Sequence, residues 1–137
     1  MNRCTFIGRL ATEPQLKQTP KGVAVCTFVL AVDRPRRKNE ESSADFISVV
    51  AWNTKADFVA GHLHKGSKIA LESSARSRHY DKNGQTHYVT EFYVDNVELL
   101  VAAGTSTSNN KQSQPYPKSF EPDGFEDVYE DDLPWNT

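Results

Sequence analysis

Runs of β-branched and aromatic residues, separated by turn signals, dominate the first hundred positions of the chain. Such runs are typical of β-strands. Glu13-Pro14 and Thr19-Pro20-Lys21-Gly22 are turn sequences, and Asn83-Gly84 is the strongest short hairpin signal. We therefore predict five strands, the last two joined as a hairpin, at residues 3–11, 22–34, 46–52, 67–80 and 87–100.

One segment follows the period of a helix instead. Its apolar residues recur at the i, i+3, i+4 and i+7 positions of one helix face: Ala56, Val59, Ala60 and Leu63. Thr54 is predicted to cap this helix, with Asp57 as a capping-box partner, and Gly66 to end it in the left-handed conformation. Five strands with a helix between the third and fourth are the element order of an OB-fold, a Greek-key barrel. The fold class is therefore all-β.

The period of two residues divides the third strand into two faces. One set is apolar and is predicted to fill the barrel: Ile47, Val49 and Ala51. The opposite face carries two large aromatic residues among its members: Phe46, Ser48, Val50 and Trp52. In the fourth strand, Arg76, Arg78 and Tyr80 share one face. Exposed aromatic rings stack on nucleobases and cations neutralise phosphates, so this combination favours single-stranded nucleic acid.

Residues 34–38 hold four cations in five positions. This loop is interpreted either as a finger over a phosphate backbone or as a solvated hairpin tip. The candidates for phosphate contacts are Arg3, Arg9, Arg34, Arg36, Arg37, Lys55, Arg76 and Arg78.

The overall net charge of −2 conceals a division between two parts of the chain. Residues 1–100 carry 14 Lys and Arg against 11 Asp and Glu, whereas residues 101–137 carry two lysines against seven acids. A basic body indicates a polyanionic partner, and an acidic tail indicates a different one. We predict a binding domain at residues 1–101, a flexible polar linker at 102–124 and an acidic protein-interaction tip at 125–137. An inert solubilising tail is the alternative.

Signals for catalysis or for a cofactor are weak. The four histidines are spread so that no metal site is predicted, and Cys4 and Cys26 lie within strand runs where buried thiols are expected. No phosphate-binding, nucleophile-elbow or zinc-protease motif occurs. We expect a protein that is not an enzyme and needs no cofactor. No stretch reaches the roughly 18 apolar residues of a membrane helix, and no signal-peptide pattern opens the chain, so a cytoplasmic location is expected.

Several segments, taken in order, resemble the bacterial single-stranded DNA-binding protein (SSB) family. They are NRCTFIGRL (2–10), EP (13–14), TPKGVAVCTFVLAV (19–32), ADFISVVAW (44–52), AGHLHKGSK (60–68), RSRHYD (76–81) and YVTEFYV (88–94). The resemblance implies an OB-fold that assembles as a homotetramer, with single-stranded DNA wrapped around it. It places base-stacking residues at Phe46, Trp52 and Tyr80. It further implies roles in replication, recombination and repair, at the nucleoid.

The chain departs from the family pattern at two places. The loop after the second predicted strand normally contains an aromatic residue, and here reads Arg34-Pro35-Arg36-Arg37. An arginine side chain can itself stack on a base.

The family's acidic tip normally ends in Pro-Phe with a free carboxylate and recruits replication and repair enzymes. The corresponding tip residues here are Asp131, Asp132, Leu133, Pro134 and Trp135, with two residues after them. We expect weaker docking of this tip on a pocket for a terminal Phe, as in an accessory or phage-borne paralogue.

Two other functions are compatible with a basic, aromatic face on an OB-fold. One is an RNA-binding module, because single-stranded RNA is also recognised by stacking. The other is a protein scaffold in which Phe46 and Trp52 are buried at an interface. The residues alone do not separate these alternatives.

Overall fold

A computed structural model of the protein describes residues 1–100. The elements are β1 (Cys4–Leu10), β2 (Gln15–Gln18), β3 (Ala24–Asp33), β4 (Ala44–Trp52), α1 (Thr54–His62), β5 (Lys68–Lys82) and β6 (Gln85–Leu99). The five predicted strands are confirmed as β1, β3, β4, β5 and β6. The short β2 was not predicted, because its four residues are all exposed and show no apolar pattern. The linker and tip predicted at 102–124 and 125–137 lie outside the described residues.

The strands close into a barrel. The sheet order is β1-β5-β6-β4-β3-β2, and an additional pairing joins β1 to β3. Five strands therefore form a closed ring, and β2 extends one edge of β3. The β4–β6 pairing is parallel, at Val49↔Phe92 and Val50↔Tyr93, whereas the other pairings are antiparallel. With α1 between β4 and β5, this is the predicted OB-fold.

Gly8 permits the closure of the barrel. A Cβ atom at this position would clash with the backbone carbonyl oxygen of Ala31, on β3. The ring therefore closes where β1 has no side chain to separate it from β3.

The core fills the barrel, and α1 covers one end of it. The buried members of the core are Leu10, Cys26, Phe28, Leu30, Val49, Ala51, Ala56, Val59, Leu63, Ile69, Leu71 and Val94. The predicted inward face of β4 is confirmed, with Ile47 packed against this cluster. The predicted apolar face of the helix is also confirmed, because Ala56, Val59 and Leu63 are buried in the core and Ala60 packs against it. In residues 1–100, no helix has both the length and the apolar character needed to cross a membrane.

The predicted ends of the helix are wrong. Asn53, with φ of 56°, is the N-cap residue and makes no side-chain capping hydrogen bond, so Thr54 is the first helical residue rather than the cap. At the other end, Leu63 is already extended. Gly66 does have a positive φ of 91°, but its N–H donates to the carbonyl of Leu10, so it belongs to the connection toward β5.

The long β5–β6 hairpin extends beyond the barrel. β1 pairs with β5 only from Lys68 to Ser73, and β6 pairs with β4 only at residues 92 and 93. Residues 76–91 therefore form a two-stranded extension, which we call the arm. Asn83 and Gly84, with φ of 53° and 76°, form its two-residue turn, as predicted.

Candidate nucleic-acid interface

A continuous face on the outside of the barrel combines side chains from three strands. Strand alternation places Phe46, Ser48, Val50 and Trp52 of β4 on this face. The parallel register puts Tyr93 of β6 beside Val50, and the antiparallel register aligns β5 with β6. The outer face is therefore defined by Phe46, Ser48, Val50, Trp52, Arg76, Arg78, Tyr80, His87, Val89, Glu91 and Tyr93.

Trp52 lies on the predicted face, but the expectation of an exposed ring is wrong for it. Only 9% of the residue is exposed. It packs in a small outer cluster with Val25 and Val50, against which Val23 and Tyr93 also pack. The cause is the β4–β6 pairing, which brings Tyr93 next to Trp52, at a centroid distance of 6.1 Å and an angle of 49°. A role for Trp52 in stacking remains a prediction.

Tyr93 was not identified from the sequence. The alternation rule that divides β4 into two faces, applied to β6, would have placed Tyr93 on one face with His87, Val89 and Glu91. The contact with Trp52 depends on a parallel pairing between strands distant in sequence, which no local pattern reveals.

Tyr80 is partly exposed on the arm and has two neighbours. Its cross-strand partner His87 stacks on it at a centroid distance of 5.2 Å and an angle of 14°. The guanidinium carbon of Arg78 lies 5.8 Å from the centre of the Tyr80 ring. Together these three side chains form a packed group near the end of the arm. Phe46 is also partly exposed, opposite Ala31 of β3.

Arg78 is held in an ion pair on the outer face. Its Nε and Nη2 donate to Oε1 of Glu91 at 3.2 and 3.0 Å. The two side chains are only 13% and 2% exposed. Arg78 therefore links β5 to β6 within the arm and lies beside the Tyr80 ring. Its contact with a phosphate stays a prediction.

Hydrogen bonds of Arg34 hold together the two ends of the loop between β3 and β4. Arg34 Nε donates to Asp45 Oδ1 at 2.8 Å, and the Arg34 backbone N–H donates to Ser43 O at 2.9 Å. The hydrogen bond and the attraction between the charges raise the pKa of Arg34, and the same hydrogen bond lowers the pKa of Asp45. Arg36 and Arg37 are exposed farther along the loop, where the guanidinium groups face water.

The remaining predicted cations lie at other places. Arg3 precedes β1, and Arg9 on β1 donates from Nη1 to Gly66 O at 3.1 Å. Lys55 lies in the first turn of α1, beside a shallow cavity also lined by Phe58 and Val97. The structure thus brings Arg76 and Arg78 together with Trp52 and Tyr80 on one face, whereas Arg3, Arg9 and Lys55 lie on other elements.

The cysteines and acidic residues supply no second site in the described part of the chain. No group of three His, Cys, Asp or Glu among residues 1–100 is arranged to hold a metal ion. Cys26 is completely buried, and burial raises the pKa of its thiol to about 11. Cys4 is a free, partly buried thiol on β1.

The fold and the outer face define an OB-fold protein with an aromatic and basic surface. Residues 1–100 match the Single-strand binding protein family. The chain is 45% identical to Single-stranded DNA-binding protein 3 of Listeria innocua, over 83% of this chain and 75% of that protein. It is 41% identical to a Single-stranded DNA-binding protein of Clostridium tetani, over 97% of this chain and 93% of that protein. Single-stranded DNA-binding protein 2 of Listeria monocytogenes is 38% identical, over 98% of this chain and 99% of that protein. The chain belongs to the single-strand binding protein family, which confirms the resemblance.

Proposed function

We propose that this chain binds single-stranded DNA without sequence preference. The observation that supports this is the outer face, where aromatic and basic side chains meet on an OB-fold of the single-strand binding protein family. Cations attract the phosphates and release counterions, and bases then stack on the aromatic rings. Every base has a π-face, so stacking tolerates any sequence.

The proposed contacts fall into two groups. Phe46 and Tyr80, which are partly exposed, stack on bases, and Trp52, which is 9% exposed, adds a smaller contact. Arg36 and Arg37, in the exposed loop, and Arg76, on the outer face, are the cations best placed for phosphates. Stacking contributes about 1–3 kcal/mol per base, so several such contacts suffice for firm binding.

The test uses the full-length W135F variant, in which Trp52 is the remaining tryptophan. Its fluorescence is titrated with oligo-dT, oligo-rU and duplex DNA at two salt concentrations. Strong quenching by oligo-dT, weaker quenching by oligo-rU and little by duplex is the expected result. Equal responses to oligo-dT and oligo-rU would instead favour an RNA-binding module. An unchanged signal, together with no retention of labelled oligo-dT on a filter, would contradict nucleic-acid binding and favour a scaffold.

The wider role that we propose is protection of single-stranded DNA during replication, recombination and repair, with recruitment of partner enzymes by the acidic tip. Family membership and the seven acids of residues 101–137 support this role.

Trp135, in place of the family's Phe, is expected to shift the set of partners. A peptide of residues 128–137 and its W135F form are used in parallel pull-downs. Equal recovery of the same proteins would contradict a changed partner set.

We further propose that four copies assemble, as the family resemblance implies. Exposed apolar side chains on the barrel support assembly, among them Ile7 on β1 at 59% exposure and Leu16 on β2 at 48%. Light scattering on the full chain is expected to give four times the chain mass of 15.4 kDa. A mass equal to a single chain at micromolar concentration would contradict this proposal.

A further inference from the structure

Tyr93 occupies a junction on the outer face. It lies on β6, beside Val50 of β4 and opposite Ser74 of β5, where the barrel meets the arm. Its ring is 6.1 Å from the ring of Trp52, and the residue is partly exposed whereas Trp52 is almost covered. At this end of the face, Tyr93 is therefore the less buried of the two aromatic residues.

Arg76 is the cation nearest this ring. Its guanidinium carbon lies 6.0 Å from the centre of the Tyr93 ring, within the range of a cation–π contact. The cross-strand partner of Arg76 is Glu91, but the Glu91 carboxylate is bound to Arg78. Within residues 1–100, Arg76 takes part in no salt bridge. Its charge is available to an anion, and its long exposed side chain can move to admit a base.

We infer that Tyr93 and Arg76 form a nucleotide subsite, with a nucleobase stacked on Tyr93 and the adjoining phosphate bound by Arg76. This rests on the proposed binding of single-stranded DNA and adds a stacking residue to the three predicted from the sequence. Packing against Trp52 and Val50 calls for an apolar side chain, which a leucine would also supply. The aromatic ring, beside a cation with no acidic partner, is the feature that packing does not require.

The first test measures the affinity of the full chain for labelled oligo-dT by fluorescence anisotropy. Tyr93→Leu keeps the apolar contact and removes the ring, and is expected to weaken binding about tenfold, the effect of losing one stacked base. Tyr93→Phe keeps the ring and is expected to bind as the unchanged protein does. The matched control is Tyr88→Leu, because Tyr88 is 82% exposed and points to the opposite side of β6. It is expected to leave the affinity unchanged.

The salt dependence of binding distinguishes base stacking by Tyr93 from phosphate binding by Arg76. Tyr93→Leu removes no charge, so the slope of log affinity against log salt should stay the same. Arg76→Gln should reduce the magnitude of that slope by about one, the effect of one lost phosphate contact. If Tyr93 acted only by positioning Arg76, both variants would lower the slope by the same amount.

A second measurement does not depend on the folding of a variant. The full-length, unsubstituted protein is irradiated with an oligonucleotide that contains 5-iodouracil, and the cross-linked residues are identified by mass spectrometry. A cross-link at Tyr93 is expected. If the unsubstituted protein binds oligo-dT, but Tyr93→Leu binds equally well and no cross-link forms at Tyr93, this inference is overturned and the proposed function stands. If the unsubstituted protein does not bind oligo-dT, the proposed function itself fails.

Discussion

Glu91 is a carboxylate that folding removes almost completely from water. Its side chain is 2% exposed, and Arg78, its ion-pair partner, is 13% exposed. Such a pair gains little over an apolar pair, because desolvation offsets the attraction between the charges. Loss of one member is different, since the other charge is then left without its partner in a poorly solvated place.

The Glu91→Ala variant is accordingly expected to be destabilised by about 3 kcal/mol. Urea unfolding of the full chain, followed by tryptophan fluorescence at one fixed protein concentration, measures the change. Glu98→Ala on the same strand is the matched control, because Glu98 is exposed and its loss should change the stability by less than about 0.5 kcal/mol. Identical unfolding midpoints for the two variants would contradict a structural role for the ion pair.

The two cysteines are expected to differ sharply in reactivity. Cys26 is fully buried and its thiol pKa is raised to about 11, whereas Cys4 is partly buried on β1. At pH 8, iodoacetamide should modify Cys4 in the folded protein and leave Cys26 unmodified, as measured by mass spectrometry. Both should react in urea. Modification of Cys26 at the rate of Cys4 would show that the barrel opens readily.

Because folding raises the pKa of the Cys26 thiol from 9.0, the contribution of this thiol to stability is present below pH 9 and is lost as the pH rises toward 11.

At the scale of the elements, two glycines allow a paired test of backbone conformation. Gly84 has a φ of 76° in the two-residue turn of the arm, where an L-residue is strained. Gly61 lies within α1, and a Cβ added there has nothing within 4 Å. Gly84→Ala is expected to cost about 1 kcal/mol, whereas Gly61→Ala is expected to stabilise the protein by about 0.5–1 kcal/mol. Thermal unfolding of both variants measures the two shifts, and shifts of the same sign would contradict this account.

Burial made the elements of the barrel predictable, and the Asn83-Gly84 turn signal made the exposed arm predictable. The five barrel strands and the apolar helix face were predicted because they alternate or repeat against one core. β2 was missed because its residues are all exposed, and the helix cap was misplaced because Asn53 caps by backbone conformation rather than by its side chain.

The candidate site was predictable only in part, for a different reason. Strand alternation placed Phe46, Trp52 and Tyr80 on an outer face, as the structure has them. The position of Tyr93 beside Trp52 depends on the parallel β4–β6 pairing, which joins segments distant in sequence. The position of His87 opposite Tyr80 follows instead from the predicted two-residue turn of the arm. The burial of Trp52 is a consequence of the β4–β6 pairing, whereas the ion pair of Arg78 with Glu91 forms within the β5–β6 hairpin.

At the scale of the whole molecule, the division of charge links the two predicted parts of the chain. Residues 1–100 have three more basic than acidic residues, and residues 101–137 have five more acidic than basic residues. An acidic segment attached to a basic surface acts at high local concentration, so we expect it to compete with DNA phosphates for the same cations. The competition is electrostatic, so it should be strong only where salt does not screen it.

Removal of residues 102–137 is therefore expected to tighten the binding of oligo-dT at low salt. Anisotropy titrations at about 20 mM and about 500 mM salt should show a difference only at the lower value, because the screening length falls to a few ångströms in concentrated salt. Charge is separated from chain length by a full-length variant in which the seven acids of the segment become amides. That variant should match the truncated chain. If truncation tightens binding and the amide variant does not, the tail acts by its bulk rather than by its charge; if neither changes the affinity at low salt, the tail does not compete with DNA.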